Sequence, residues 1–562
     1  MASLCIGIFH SASKIWHSVG ILWAIAAVAF LYRLYQTRSF MRRLQREGLP
    51  MPPHHPLFGH LLVAWKMVKR LPPDAHLLLM ANQVRQAYPH LDTAFYFDTW
   101  PFSPPSLWVI SPDMSAQFTQ QKSFPKFKGL RQFLKPLTGK QDLVTMEGHD
   151  WKHWRAVSNP GFSTNYTTSM IPVMVKAIKI YRDIVHRHAI DDPMFFLEVP
   201  TLELSMDIIG RIVLDHEFEC QTSYNRFTAA LQNQLAWCNA GVHKSPFQYV
   251  NIVRPFVQQY NTWRMNSYLD PLLKSRYETL QRRPNNKNVT DLMMDAYAKE
   301  KSDANNTCPT KMDPDFSEFV RSQVKLFLQA GHDTTAASIV YTFYLLSKNP
   351  GSMCRLREEL DSIFGPDATA TCDLLKENAH LLGQCKYLLA VTKEALRLYP
   401  PSSTVRFGPP GSYLVDPNGK RLPTENCLIV GCHQGLHRNP RFWPRADEFV
   451  PERWLVDEKD LLYPVKNGWR PFERGPRNCL GQELAMTEIR LVVAVLVREF
   501  EFRDAYSEYD LKRGQALDNM RVSGDRAYQV EGGGCHPSER FPCVVSFAHR
   551  TSTYLGQNLS NL

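Results

Sequence analysis

The sequence predicts a mainly α fold with a minor β-sheet region, organised as a single large domain. Three observations carry this prediction. Segments with helical periodicity or flanking helix-stop signals recur along most of the chain. Strand-like pieces are short and include SLWVIS near Val109, CLIVGC near Ile429 and PCVVSF near Val545. No internal repeat divides the 562 residues, and their 44% apolar content is enough for one extensive core.

In chain order, the first predicted element is a membrane helix. Residues 15–32, IWHSVGILWAIAAVAFLY, carry no formal charge with His17 neutral, and they sit at the short end of the ~17–25 residues that span a bilayer. Arg33, Arg38, Arg42, Arg43 and Arg46 follow it, against Lys14 before it. The positive-inside rule therefore assigns residues 1–14 to the lumen and the rest to the cytosol. A cleaved signal peptide is the competing reading, but its basic region should precede the apolar core and a small-residue site should follow.

Residues 33–60 read as a basic and proline-rich hinge. Its second half, GLPMPPHHPLFGH, holds four prolines and two glycines, which excludes a regular helix and predicts an ordered, extended connector. Residues 61–550 form the predicted catalytic domain, and residues 551–562 a polar tail.

Helices are predicted near Met114–Lys122, His149–Ser158, Ile171–Arg187, Thr201–Leu214, Tyr224–Cys238, Pro255–Arg282, Ser317–Ser347, Gly351–Phe364 and Leu382–Leu398. A further helix starts just after Cys479, in LGQELAMTEIRLVVAVLVREF. Late in the chain, EGGGCHPSERFPC predicts a glycine-started connection whose tip approaches a substrate pocket.

Charge and cysteine content narrow the function. The net charge of +11 is spread without a basic block interleaved with aromatics, which argues against nucleic acid and leaves an anionic membrane or an acidic protein as partner. The twelve cysteines form no CxxC pair, as expected of reduced thiols facing the cytosol. Cys427, Cys432, His433 and His437 lack standard zinc-ligand spacing.

Three stretches carry chemistry. FLQAGHDTTAAS, from Phe327, weakens its own helix with Gly331 and two threonines. Gly331 is either a packing glycine at a helix crossing or part of a local widening beside a cofactor, with Asp333 and Thr334 as a proton-handling acid and alcohol. In KEALRLYPP, Glu394 and Arg397 share a helix face, and Arg453 of FVPERW is a third member of a structural ion cluster. In RPFERGPRNCLGQELA, the residues Phe472, Gly475, Arg477, Cys479 and Gly481 form the pattern F-x-x-G-x-R-x-C-x-G.

That last pattern resembles the signature of the haem-thiolate monooxygenases, the cytochrome P450 superfamily. AGHDTT resembles the family's oxygen-activation motif, EALR its E-x-x-R helix, FVPERW its P-E-R motif, and WKHWR, Trp151 to Arg155, its W-x-x-x-R element. The resemblance covers about Pro50 to Phe547 and implies the cytochrome P450 fold.

It further implies haem b, with Cys479 as axial thiolate and Trp151, Arg155, Arg406 and Arg477 toward the propionates. Phe472 is then expected to cover the sulfur's flank, Gly475 to permit the turn and Gly481 to let the following helix approach the cofactor. The implied reaction places one atom of dioxygen in a small apolar substrate and the other in water, with Asp333 and Thr334 organising the protons.

Because the chain has no G-x-G-x-x-G and no flavin domain, the resemblance implies NADPH-cytochrome P450 reductase as electron donor, cytochrome b5 as an additional one, and the endoplasmic reticulum membrane as location. The expected pocket involves residues around Ser123–Val144, Asn233–Tyr249, Phe327–Thr334 and the turn after Pro401. AGHDTTAASIVYTFYLLSKNP and LYPPSSTVR resemble fungal enzymes of secondary metabolism, including polyketide tailoring. Fatty-acid or xenobiotic hydroxylation, a haem-thiolate isomerase and a non-catalytic haem-binding membrane protein are the alternatives.

Overall fold

The computed structural model describes residues 2–191, 194–238, 251–280, 288–302, 309–514 and 520–548, with side chains from residue 16 onward. Part of the segment expected to line the pocket at Asn233–Tyr249, and the polar tail at 551–562, lie outside the described residues.

A helix of 35 residues, Pro314–Lys348, crosses the core and holds the first chemical stretch. Asp313 caps it by accepting a hydrogen bond from the Phe316 amide, and Pro314 occupies its first turn, where no amide donor is needed. Its principal neighbours are the helix Glu198–Leu214 and the helix Gln482–Glu499. At the crossing with the former, a Cβ on Gly331 would lie 2.6 Å from Ile209 Cδ1, so glycine is required there for close packing. The helix is α-helical throughout, without a local widening. The helix crossing alone accounts for Gly331.

Four strands form the main sheet in the order Ala94–Phe97, Ser106–Val109, Leu428–Gly431, Thr404–Phe407. The middle pair is parallel, and both outer pairs are antiparallel. A second sheet has Pro542–Phe547 between Phe195–Phe196 and Phe500–Asp504. The late glycine segment is itself a hairpin, Gln529–Glu531 with Cys535–Pro537, turning at Gly532–Gly534.

The N-terminal helix runs from Ala2 to Arg46, so the basic half of the expected hinge, residues 33–46, is helical instead. Nothing in that stretch breaks a helix before Gly48, which adopts φ +67°. The last turns pack into the body. Met41 and Leu44 are buried beside Tyr96, Leu107 and Ile429, and Arg38 donates to Asp98 Oδ2 at 2.5 Å, Leu57 O at 3.0 Å and Trp100 O at 3.1 Å. His54 Nε2 lies 3.0 Å from the same Asp98 oxygen. The connector Gly48–His60 is ordered around these contacts, with His60 Nε2 3.0 Å from Pro52 O.

Candidate active site

The loop 470–481 is built around its cysteine. Gly475 turns the chain with φ +96°, and a Cβ there would lie 2.2 Å from Thr119 O, so no other residue fits. The Cys479 amide donates to Phe472 O at 2.8 Å and closes the loop. Gly481 caps the helix Gln482–Glu499, placing the helix's positive end beside the sulfur. Burial holds the thiol pKa up, while a hydrogen bond from the Gly481 amide and the charge of Arg155 pull it down. The cysteine's free surface opens into a cavity of about 320 Å³.

Ala330, Gly331, Thr334 and Thr335 of the long helix line this cavity together with Phe472, Cys479 and Gly481. A Cβ on Gly481 would meet open space. Val144, Phe327 and Pro401 also border it, from three of the four expected pocket segments, whereas the described part of the fourth, residues 233–238, does not. Thr334 donates its hydroxyl back to Ala330 O at 2.9 Å. Asp333 is not in the cavity wall. Its carboxylate turns toward the glycine hairpin, where His536 Nε2 lies 3.1 Å away and the Gly534 amide bonds to it. His332 points into the core and bonds Leu328 O at 2.8 Å.

The cavity rim is cationic. Arg477 lies over the Trp151 ring at 4.1 Å and donates to Glu147 Oε2 at 2.5 Å. Arg155 borders the cavity but is engaged with Asn478, donating to its carbonyl and side-chain oxygen, both at 2.9 Å. It thus braces the residue preceding Cys479. Arg406, on the strand Thr404–Phe407, does not line the cavity itself but lies near Lys126 and Arg477; it is fully buried and leaves Nε and Nη2 without a partner. Burial pushes its pKa down to about 10.

Sequence reasoning missed Lys126, which borders the same cavity. Burial and the nearby Arg406 and Arg477 push its pKa down to about 7. Its only signal in the sequence was membership of the broad segment Ser123–Val144. Glu473 was missed as well: it neutralises Arg470, with Arg470 Nε donating to Oε1 at 2.7 Å, and burial notwithstanding, His433 and Arg470 hold its pKa down to about 2.

The three expected cluster residues come together at one carboxylate. Arg397 donates to Glu394 Oε2 through Nε at 2.9 Å and to Oε1 through Nη2 at 2.8 Å, and Arg453 Nε donates to Oε1 at 3.0 Å. All three are fully buried. Arg397 also donates to His437 O at 2.7 Å, and His437 Nε2 accepts from the Arg470 amide at 3.0 Å. The cluster therefore reaches the start of the cysteine loop through His437.

A large planar apolar group with two anionic arms fits these residues. Lys126, Arg155, Arg406 and Arg477 outnumber the nearby Glu147 and Glu473, and Glu473 is already committed to Arg470 and His433. The orphaned nitrogens of Arg406, and Nη1 of Arg477, are donors awaiting an acceptor. A sulfur opening into an otherwise largely apolar chamber completes the donor set.

Comparison with known proteins agrees. The family model described as Cytochrome P450 matches residues 49–514. The chain is 67% identical to "Cytochrome P450 monooxygenase polC" of Polytolypa hystricis over 95% of this chain and 96% of that relative. It is 29% identical to "Cytochrome P450 monooxygenase acrF" of Aspergillus aculeatus, covering 85% and 98% respectively. The solved structure "Crystal structure of a Cytochrome P450 (CYP102L1)" superposes with a TM-score of 0.68 at 19% identity, covering 89% of this chain and 99% of that one. A cysteine loop beneath a long crossing helix, a buried Glu–Arg–Arg cluster behind it and a family match over most of the length lead to one conclusion: the chain belongs to the cytochrome P450 family and is a monooxygenase.

Proposed function

We propose that the residues around the cavity would hold haem b, with the Cys479 thiolate binding its iron, and that the enzyme oxidises a small apolar substrate of fungal secondary metabolism, such as a polyketide. The observation that carries this reading is the Cys479 sulfur opening into a chamber that Ala330, Gly331, Thr334 and Thr335 also line and whose rim has surplus cations. When bound, the haem supplies dioxygen activation, and thiolate ligation favours O–O cleavage. Lys126, Arg406 and Arg477, with Trp151 stacked beneath Arg477, hold the propionates, and Arg155 braces Asn478. Phe472 shields the sulfur's flank and the Gly481 amide stabilises its negative charge. Thr334 lines the chamber with its hydroxyl bonded back to Ala330 O, and Asp333 is the proton-carrying acid behind it.

Electrons come from NADPH-cytochrome P450 reductase, with cytochrome b5 as a second donor. Exposed Lys466 and Arg474 beside the cysteine loop support an acidic partner on that face. The apolar helix over Trp16–Arg46, with a mean hydropathy of 1.6 in its most apolar window, supports single-pass anchoring in the endoplasmic reticulum with the domain in the cytosol. The resemblance of AGHDTT and LYPPSSTVR to fungal secondary-metabolic enzymes, together with the identity to a fungal monooxygenase, supports the substrate class.

The test is the carbon-monoxide difference spectrum of reduced, haem-loaded protein. The red-shifted thiolate band is expected in the wild type and absent in Cys479→Ser. A band that survives Cys479→Ser, or is missing from the loaded wild type, overturns the assignment.

A further inference from the structure

Behind the long helix lies a buried charge chain that no motif contains. His536, on the hairpin strand Cys535–Pro537, has Nδ1 2.7 Å from Glu198 Oε1 and Nε2 3.1 Å from Asp333 Oδ1. All three residues are buried. A neutral imidazole carries one N–H, so with a carboxylate at each ring nitrogen one contact would set two lone pairs against each other. Only the imidazolium donates to both. Glu198 opens the helix Glu198–Leu214, whose positive end favours a charged carboxylate there.

The geometry points to His536 as a positioning residue for Asp333: clamped by Glu198, the imidazolium keeps the Asp333 carboxylate turned to the hairpin and out of the cavity, so that proton delivery requires this contact to open. The inference rests on the reading of Asp333 as the distal acid. Asp333 can reach the cavity only by leaving His536, and Glu198 keeps the imidazolium paired when it does. Glycine at 533 and 534 is part of the same device, because a Cβ at either would lie 3.1 Å from Asp333 Oδ2.

Burial works against the imidazolium charge, but Asp333 and Glu198 outweigh it and hold the His536 pKa well above its usual value. His332 and Tyr341 face it from the long helix, Tyr341 through a hydrogen bond to the His536 carbonyl at 3.1 Å, and His76, itself 3.5 Å from Glu531, faces it from the other side. A raised folded-state pKa gives stability that is full below the unfolded value of about 6.5 and is lost as pH rises toward the folded one.

The test uses the haem-loaded full chain with reductase. NADPH consumption is followed in H2O and D2O across pH for wild type, Asp333→Asn, His536→Gln and the double variant. Asp333→Asn is expected to slow consumption and alter its solvent isotope effect. His536→Gln should shift the pH profile in the wild-type background and add nothing once Asp333 is gone. Equal effects of His536→Gln in both backgrounds overturn the proposal, whereas an Asp333→Asn variant with unchanged rate and isotope effect overturns the distal-acid reading beneath it. If His536→Gln does not fold, Glu198→Gln takes its place with the same two outcomes. Denaturant unfolding gives a readout free of turnover: the wild-type advantage over the variant in the unfolding equilibrium constant should shrink about tenfold per pH unit above ~6.5. A pH-independent advantage means a neutral His536 and overturns the proposal.

Discussion

Glu394→Gln is expected to cost far more than an ordinary ion-pair mutation. Five donors converge on this carboxylate: Arg397 Nε and Nη2, Arg453 Nε, the Val450 amide at 3.0 Å and Trp454 Nε1 at 3.1 Å. Oε1 accepts three of them and Oε2 two, so even the better amide orientation sets an NH2 against two donors. It also leaves two fully buried guanidinium groups without an anion. Breaking a buried pair in this way costs about 3–5 kcal/mol, a large part of the ~5–15 kcal/mol that holds a domain folded. Glu448→Gln, which removes the exposed partner of Arg445, should cost under about 1 kcal/mol.

Because Arg397 reaches the cysteine loop through His437, the damage should extend to cofactor retention. The assay is the haem-to-protein absorbance ratio together with the unfolding midpoint of both variants. A Glu394→Gln protein within about 1 kcal/mol of wild type and fully loaded would refute the reasoning.

Three further outcomes are expected. Thr334→Ala should divert a several-fold larger share of NADPH consumption to hydrogen peroxide, measured against product; unchanged coupling removes Thr334 from proton delivery. Deleting residues 1–33 should release a soluble, stable enzyme, whereas deleting 1–46 also removes Met41 and Leu44, each worth about 1.5–3 kcal/mol of burial, and the Arg38 partner of Asp98; equal denaturation midpoints for the two truncations count against this. Glu488, buried in the helix Gln482–Glu499 with one hydrogen bond from Ser205 at 2.6 Å, has its pKa pushed up to about 8 by burial. Folding therefore holds a proton that the unfolded chain loses near pH 4.5, and wild-type stability drops as pH rises from there to 8. Glu488→Gln should gain on wild type by roughly 1.4 kcal/mol per pH unit through that window, read by denaturant unfolding at several pH values.

What the sequence made legible was local. Cys479, Gly475 and Gly481 lie within seven residues, and their spacing alone describes a turn feeding a helix. Glu394 and Arg397 are neighbours on one helix face by periodicity, and Arg453, 56 residues beyond Arg397, has no periodic relation to them. The three strands were legible from short apolar runs between breakers. Contacts set by tertiary packing were not legible. Asp333 meets His536 across 203 residues and His536 meets Glu198 across 338, and no periodicity carries such a pairing. Lys126 gave no sign of its surroundings, since a lysine in a loop is ordinarily solvated and its burial arises from the converging cavity walls. The basic residues after Tyr32 read as a charged linker because neither the buried Asp98 nor the packing of Met41 and Leu44 has a signature in one dimension.

The clamp of Arg38 on Asp98 and the burial of Met41 and Leu44 join the N-terminal helix directly to the body. A domain on a flexible tether samples every tilt and offers its entrance to lipid only part of the time. Here the last turns of the helix are built into the body. With the proposed anchoring of that helix in a membrane, the body would follow the helix directly, with no intervening linker.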